Sequence, residues 1–483
     1  MKLNTLINQI DTISIKGNDA IVEIIDVTFD SRKVKRGVAF VAITGEKDDG
    51  FNYIDSAIRK GSNLIISEKY PSEIIKGITY VLVKNASKSL AHISSILFQH
   101  PSRKICLIGV TGTNGKTTVV TLLHQLFINL GISAGLLSTI EDKINQETFP
   151  STHTTGDSIH INKMLSKMVL AGCEFCFMEV SSHAIHQNRI KYLDFDGAVF
   201  TNISHEHLDY HKNFLNYINT KKLFFQELKS TAFSLINEDD KNAGVMISNS
   251  KSRKVTYSLK SMSEYRCKIK ENTIDGMLLD INNDDVWVRQ TGMFNAYNLL
   301  AVFSVCRELG FDKDDLLLQL SNLESAAGRF QTLKAHNNVT IIFDYAHTPD
   351  AFSNILLAVN GIKEKSARLI MLFGCGGDRD KTKRSKMTSI AVNFSDKVVL
   401  TSDNPRTEDP KKIVNDMMSE LSQEMMNKVI VNLDREQALY TAMQLASNND
   451  IILVAGKGHE KYQEIDGVKY PFDDVEIIKK KIK

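Results

Sequence analysis

Ile105-Cys106-Leu107-Ile108-Gly109-Val110-Thr111-Gly112-Thr113-Asn114-Gly115-Lys116-Thr117-Thr118 is the stretch on which the reading of this chain turns. Its apolar half predicts a buried strand and its Gly/Thr/Asn half a turn; Val119, Leu122, Leu123, Leu126, Phe127 and Leu130 then recur at helical spacing. A glycine-rich turn feeding a helix N-terminus aims backbone N–H groups and the positive end of the helix dipole at one point, where phosphate fits. Lys116 is then expected to reach the β- and γ-phosphates, and the Thr117 hydroxyl to hold Mg²⁺. A strict Walker A motif needs glycine where Val110 stands, and Gly109 lies one residue too early. The bland alternative is an ordinary strand-to-helix turn; Gly-Lys-Thr-Thr in this context favours phosphate.

At 483 residues the chain is too long for a single hydrophobic core, and three domains are expected. With 42% hydrophobic and 24% charged residues it reads as an ordinary globular protein. Lys plus Arg number 59 against 57 for Asp plus Glu, so the net charge of +2 offers no field to gather nucleic acid or an anionic membrane. Lys479-Lys480-Lys481-Ile482-Lys483 reads as a solvated helix end. The first ten residues lack a signal-peptide pattern, and no run approaches the ~20 apolar residues of a membrane span, so a cytoplasmic location is expected. Six cysteines, at 106, 173, 176, 267, 306 and 375, sit mostly in apolar segments, as reduced thiols do. Cys173 and Cys176 form a C-x-x-C on an expected strand, where odd spacing sends them to opposite faces and argues against redox or zinc use.

The expected fold class is α/β in three units: 1–101, a central parallel-sheet unit over 102–333, and a Rossmann-like unit over 334–483. The first centres on Thr28-Phe29-Asp30-Ser31-Arg32, a turn that binds a polar ligand or merely caps a loop. In the second, Ser151 to Asp157 is a hydroxyl-rich turn, and Phe175 to Glu179 is an apolar strand ending in a carboxylate. A carboxylate at a strand's C-terminal end in a phosphate-loop domain is placed for Mg²⁺, and a buried one without a partner costs several kcal/mol. Thr201 to His211 is the densest histidine cluster; it is not His-Glu-x-x-His, because Asp209 takes the second histidine's place. Lys221 follows in a helical stretch, Asn298 in an apolar helix opening at Thr291, and Gly328-Arg329 near the unit's end. In the third unit four loops, beginning at Asp344, Gly374, Thr401 and Gly456, each follow a strand's carboxyl end, where open parallel sheets bind ligands.

Residues 112–118, 178–183, 201–211, 294–298, 344–350, 374–380, 403–406 and 456–460 together resemble the Mur ligases, ATP-dependent amide-bond ligases that build the peptidoglycan stem peptide. The resemblance covers essentially the whole chain, in order. It implies that the first unit binds a UDP-muramoyl substrate, the second ATP and the third an amino acid. Asp403-Asn404-Pro405-Arg406 resembles the signature of the member that adds meso-2,6-diaminopimelate to UDP-N-acetylmuramoyl-L-alanyl-D-glutamate (UDP-MurNAc-L-Ala-D-Glu). By the same resemblance Gly112, Thr113, Asn114, Gly115, Lys116, Thr117 and Thr118 bind ATP with Asn298, Arg329 and Asp344, and Thr117 and Glu179 share one Mg²⁺. His207 and Lys221 serve a second Mg²⁺, with Lys221 carbamylated by CO₂ to N6-carboxylysine; Lys116, Glu179, His207 and Lys221 make up the catalytic set. Ser31 matches a uridine-nucleotide contact, while Thr154, Thr155, Ser181, Gln187 and Arg189 match the muramoyl-dipeptide site. Arg379, Asp403, Asn404, Pro405, Arg406, Gly456 and Glu460 match the diaminopimelate pocket, and a monomer is expected.

Two departures from the commoner family pattern, Ala327 and His205-Glu206, are expected to touch no charge-bearing site residue. A lysine-adding relative and a folylpolyglutamate synthase are the enzyme alternatives, and an ATP-binding switch protein the non-enzyme one. The Asp-Ser-Arg turn and the Asp-Asn-Pro-Arg loop argue against the folate enzyme, and a second metal site against a pure switch.

Overall fold

The computed structural model describes residues 2–17, 23–45 and 48–482. Cys106–Thr111 is an interior strand of an eleven-stranded sheet, next to the middle one, and Lys116–Asn129 is the helix that follows it. Parallel neighbours flank that strand on both sides, Phe175–Glu179 on one and Gly197–Phe200 on the other. Register sets Glu179 opposite Val110 and Phe200 opposite Thr111, so three strands end at one level.

Both faces of this sheet are covered, which is why its strands are continuously apolar. Alternate side chains go to opposite cores: Ile108, Val110, Phe177 and Val199 meet the helices Lys116–Asn129 and Met293–Glu308 on one face. Leu107, Met178, Ala198 and Phe200 meet Leu165, Phe224 and Phe225 on the other. The strand expected to carry both cysteines begins only at Phe175. Cys173 therefore precedes it, buried with its thiol 3.6 Å from Asn145 Oδ1, and all six thiols are free.

A five-stranded sheet, ordered Thr12–Gly17, Thr79–Val83, Leu64–Ser67, Val38–Val41, Asp26–Thr28, precedes the central one. The third sheet begins at Gln331, so its first strand, Gln331–Lys334, spans the 333/334 division. From there it runs through Thr340–Asp344, Ile451–Ala455, Leu369–Phe373, Lys397–Leu400 and Val429–Val431, all parallel after the first pair. Thr340–Asp344, Ile451–Ala455, Leu369–Phe373 and Lys397–Leu400 are consecutive neighbours. Their following loops consequently crowd one edge. A separate hairpin, Tyr462–Ile465 with Val468–Pro471, lies beyond the last of those loops. No helix among the described residues is long and apolar enough to cross a membrane.

Gly109 permits the strand Cys106–Thr111 to pack as it does. A Cβ there would lie 2.5 Å from Phe224 Cζ and 2.8 Å from Phe195 Cε1, and those rings meet edge-on. Gly109→Val is expected to overpack this contact and cost about 1–3 kcal/mol in a urea titration; an unchanged midpoint would show that the rings can retreat.

Candidate active site

Loop residues at the ends of the central strands line one cleft together with the crowded loops of the third sheet. Gly112 and Gly115 adopt positive φ, +154° and +88°, and Gly115 caps the helix that starts at Lys116. A Cβ on Gly112 would lie 1.9 Å from Thr201 Oγ1, and one on Gly115 2.6 Å from Asn298 Oδ1. Neither position accepts another residue without movement. The loop is clasped from the neighbouring strand: the Thr113 N–H donates to Asn202 O at 2.8 Å and the Asn114 N–H to Asn202 Oδ1 at 3.0 Å. The Thr201 hydroxyl donates to Asn114 O at 2.6 Å. Lys116 folds back, donating to Gly112 O and Thr113 O at 3.0 and 2.8 Å, while Thr117 and Thr118 are buried in the first helical turn.

Around this loop the expected nucleotide and metal residues converge. Arg329 Nη2 lies 3.4 Å from Thr117 Oγ1, and its guanidinium stacks 4.6 Å from the Tyr345 ring. Asp344 accepts N–H bonds from Phe330 and Ala346 at 2.8 and 2.7 Å, although burial holds its carboxyl above the usual range. Glu179 is fully buried; its Oε1 accepts the Thr139 N–H at 2.7 Å, and Oε2 has no partner. Arg329 Nε is likewise buried and unpartnered. A divalent cation fits the donors here, since a hard ion takes hydroxyl and carboxylate oxygens and Glu179 Oε2 is an orphan that such an ion would satisfy.

Lys221 comes from the helix Phe214–Gln226 and is 1% exposed. Its Nζ donates to Gly112 O at 2.9 Å and lies 3.3 Å from Thr111 Oγ1, with no carboxylate of the described residues within 4 Å. Burial first, then the Lys116 charge, push its pKa well below the ordinary lysine value against the pull of Glu206. His207 sits at φ +55°, half exposed, its ring 4.8 Å from that of His183.

Glu206 corrects one expectation. Its Oε2 is 3.7 Å from His207 Nε2 and its Oε1 4.0 Å from His347 Nε2, so it does touch a site residue. Burial works to raise its carboxyl, but the charges of His207, Lys116, His347 and Lys221 hold it below the usual value. Asp350 also joins the two sheets' loops, accepting from Asn114 Nδ2 at 3.3 Å and from the Ser204 hydroxyl at 3.0 Å. Both contacts were invisible in the sequence, because the partners come from different folded units.

The hydroxyl-rich turn docks on the Glu179 strand. Thr155 Oγ1 donates to Glu179 O at 2.8 Å and accepts the Ser181 N–H at 3.0 Å. Arg189 holds Thr155 O at 2.8 Å and Gln187 Oε1 at 2.9 and 2.6 Å, and Gln187 bonds the Tyr210 hydroxyl. Thr154, Thr155, Ser181 and Arg189 line the cleft; Gln187, Pro405 and Ser31 do not. Ser31 lies in the first unit, where its carbonyl accepts from Lys60 Nζ at 3.1 Å.

Across the cleft stand Arg379, Asp403, Asn404, Arg406, Gly456 and Glu460. Gly456 has φ +105°, and a Cβ there would come 2.7 Å from Asp403 Oδ2. Asn404 Nδ2 donates to Glu460 Oε2 at 2.8 Å; Glu460 is held above its usual pKa by burial and by the charge of Asp403. Lys457 is fully buried behind them, donating to Asn404 Oδ1 at 2.9 Å and Tyr462 O at 2.7 Å.

Residues 110–306 match the Mur ligase middle domain and 328–458 the Mur ligase glutamate ligase domain. The chain is 48% identical over 480 residues, 99% of its length and 98% of the relative's, to the UDP-N-acetylmuramoyl-L-alanyl-D-glutamate--2,6-diaminopimelate ligase of Cytophaga hutchinsonii. It belongs to the Mur ligase family. The like-named ligase of Bacteroides thetaiotaomicron is 47% identical over 479 residues, 99% of each chain. A solved structure of a ligase with that name superposes with a TM-score of 0.67 at 30% identity, covering 95% of this chain and 94% of its own. The Mycobacterium tuberculosis folylpolyglutamate synthase complexed with ADP, at 15% identity, shares the fold with a TM-score of 0.64 over 77% of this chain and 92% of its own. Mur ligase chemistry is ATP-dependent amide-bond formation, so the chain is an enzyme of peptidoglycan synthesis.

A buried ammonium without a carboxylate partner carries an uncompensated desolvation cost. In CO₂-free buffer, Lys221→Met is expected to raise unfolding free energy by about 1–2 kcal/mol in a denaturant titration. A destabilised variant would show that the bonds to Thr111 and Gly112 outweigh the buried charge.

Proposed function

We propose that this chain joins an amine of meso-2,6-diaminopimelate to the D-glutamate γ-carboxylate of UDP-MurNAc-L-Ala-D-Glu at the expense of ATP. The observation that carries the reading is one cleft lined by the phosphate loop, the Thr155–Ser181 turn and the Asp403-to-Arg406 loop together. The full-length likeness to relatives bearing that ligase's name supports it. We further propose a division into units 1–101, 102–333 and 334–483, with the last boundary drawn back to Gln331 so that the strand Gln331–Lys334 stays with its sheet, binding the uridine nucleotide, ATP and the incoming amino acid, with Ser31 on the first.

In this reading a γ-carboxylate oxygen attacks the γ-phosphorus of ATP in line, ADP leaves, and an acyl phosphate forms. Lys116 and the loop N–H groups stabilise charge growing on the phosphoryl oxygens. Asn298, Arg329 and Asp344 bind the nucleotide. The neutral amine then attacks the acyl carbon, the C–O bond to the phosphoryl group breaks, phosphate departs and the ammonium proton is released. Thr117 and Glu179 would hold one Mg²⁺, and His207 with Lys221 a second; bound Mg²⁺ neutralises phosphate charge.

Lys221 suits carbamylation because its suppressed pKa favours the neutral amine that reacts with CO₂. That amine adds to the carbon of CO₂, loses one proton and becomes an N-carboxylate, placing an anion beside Lys116. Thr154, Thr155, Ser181, Gln187 and Arg189 are assigned to the muramoyl dipeptide, and Arg379, Asp403, Asn404, Pro405, Arg406, Gly456 and Glu460 to diaminopimelate. Arg406 would clamp the carboxylate at the far end of the amino acid. L-Lysine lacks that carboxylate and leaves the remaining N–H groups of the guanidinium without a partner, a loss of roughly 2–5 kcal/mol, or ~30-fold or more.

With ¹⁸O in the γ-carboxylate, one label is expected in the released phosphate; its absence would refute the acyl-phosphate route. Phosphate release should require both UDP-MurNAc-L-Ala-D-Glu and meso-diaminopimelate, and equal turnover with L-lysine would remove the specificity assignment. Lys221→Ala should lose at least about 100-fold in kcat and regain part of it with short-chain carboxylic acids; full activity of unmodified Lys221 would overturn carbamylation.

A further inference from the structure

The loop from Asp403 to Arg406 does not hold its shape by itself. Arg406 sits at φ +52°, in the left-handed region that an arginine adopts only under constraint. The constraint comes from the hairpin Tyr462–Ile465/Val468–Pro471, to which the family resemblance assigns no role. The Arg406 N–H donates to Glu464 O at 3.1 Å and the Asp466 N–H returns a bond to Arg406 O at 2.9 Å, splicing the loop onto the hairpin strand. Gln463 Nε2 donates to Asp403 O at 2.7 Å and the Glu464 N–H to Asn404 Oδ1 at 3.0 Å. The Arg406 guanidinium is engaged twice: its Nε forms an ion pair with Glu464 Oε2 at 3.3 Å, and its Nη1 donates a hydrogen bond to Gly377 O at 2.6 Å. A guanidinium held at Nε and at one side of Nη1 presents its remaining N–H groups as a planar fork in one direction.

Resting on the diaminopimelate reading, we propose that Glu464 is a positioning residue that sets amine specificity. It orients Arg406 so that the open end of the fork meets the distal carboxylate of the incoming amino acid, and it touches no reacting atom. Without it the guanidinium rotates about its side chain, and a carboxylate must pay the entropy of fixing it. A substrate without that carboxylate gains nothing from the orientation and loses nothing with it.

The test is steady-state kinetics of full-length wild type, Glu464→Ala and Glu464→Gln, with meso-diaminopimelate and with L-lysine as competing amines. Glu464→Ala is expected to raise KM for meso-diaminopimelate about tenfold, with kcat within about twofold and the KM values for ATP and the UDP-linked dipeptide unmoved. Its kcat/KM for L-lysine should stay within about twofold of wild type, so the preference between the two amines falls about tenfold. Glu464→Gln keeps the length of the side chain and an oxygen beside Nε but loses the charge of the ion pair, and is expected to restore part of the loss. An unchanged KM in Glu464→Ala, a parallel loss with both amines, or a glutamine variant no better than alanine would overturn the role. Failure of wild type to prefer meso-diaminopimelate would instead overturn the substrate reading, and this inference with it.

Discussion

The active-site edge depends on a hydrogen-bonded clasp between two strand ends. The phosphate loop has glycine at both of its positive-φ positions, and those glycines also let the Thr201–Asn202 segment and Asn298 approach to contact. Asn202 and Thr201 then take up the Thr113 and Asn114 backbone groups that would otherwise be left unpaired at the cleft floor. With the loop fixed from the side, its free N–H groups keep one direction. A phosphate-binding loop works through fixed dipoles rather than flexible side chains, and fixed dipoles need no reorganisation as charge develops.

The same edge gathers charge that is poorly compensated in the described protein. Lys116 folds onto its own loop, Lys221 is buried without a carboxylate within reach, and Glu179 keeps one buried oxygen unpartnered. Each feature weakens the fold taken alone. Together they leave positive charge on one side of the cleft and an orphan carboxylate oxygen on the other, unmatched among the described residues. Glu206, between His207 and His347, supplies negative charge where central and C-terminal loops meet. On the opposite wall the logic reverses: Lys457, Arg435 and Asp474 are buried in a satisfied network, with Arg435 Nη2 2.7 Å from Asp474 Oδ2. That rigid base supports the loop from Asp403 to Arg406.

Much of this was legible in the chain because it is written in short windows. The apolar run to Thr111, the glycine turn and the spaced leucines predict strand, loop and helix, and that unit lies in the sheet's interior. Glu179 reads as a strand-end carboxylate for the same reason, and register with Val110 places it there. The third sheet's four loops were marked by apolar runs broken by glycine or by Asp-Asn-Pro. Less legible were strand limits: Cys173 falls outside its expected strand because Cys173 and Glu174 still belong to the connection that leaves the Gly172 turn. Glu206 was misjudged because adjacency in sequence does not tell that its carboxylate turns back to His207, and because Lys116 and His347, which also act on it, are far from it in sequence.

The order of residues alone determined the element types, the three-part α/β organisation, and the identity of the glycine-turn and strand-end residues, since backbone propensity and hydrophobic period act over a few neighbours. Tertiary structure decided what those residues do to one another. It buried Lys221 beside Gly112, joined Asn114 to Asp350, and spliced Arg406 onto a hairpin that begins at Tyr462. Burial and Coulomb interaction depend on distance through space, and no local pattern carries that information.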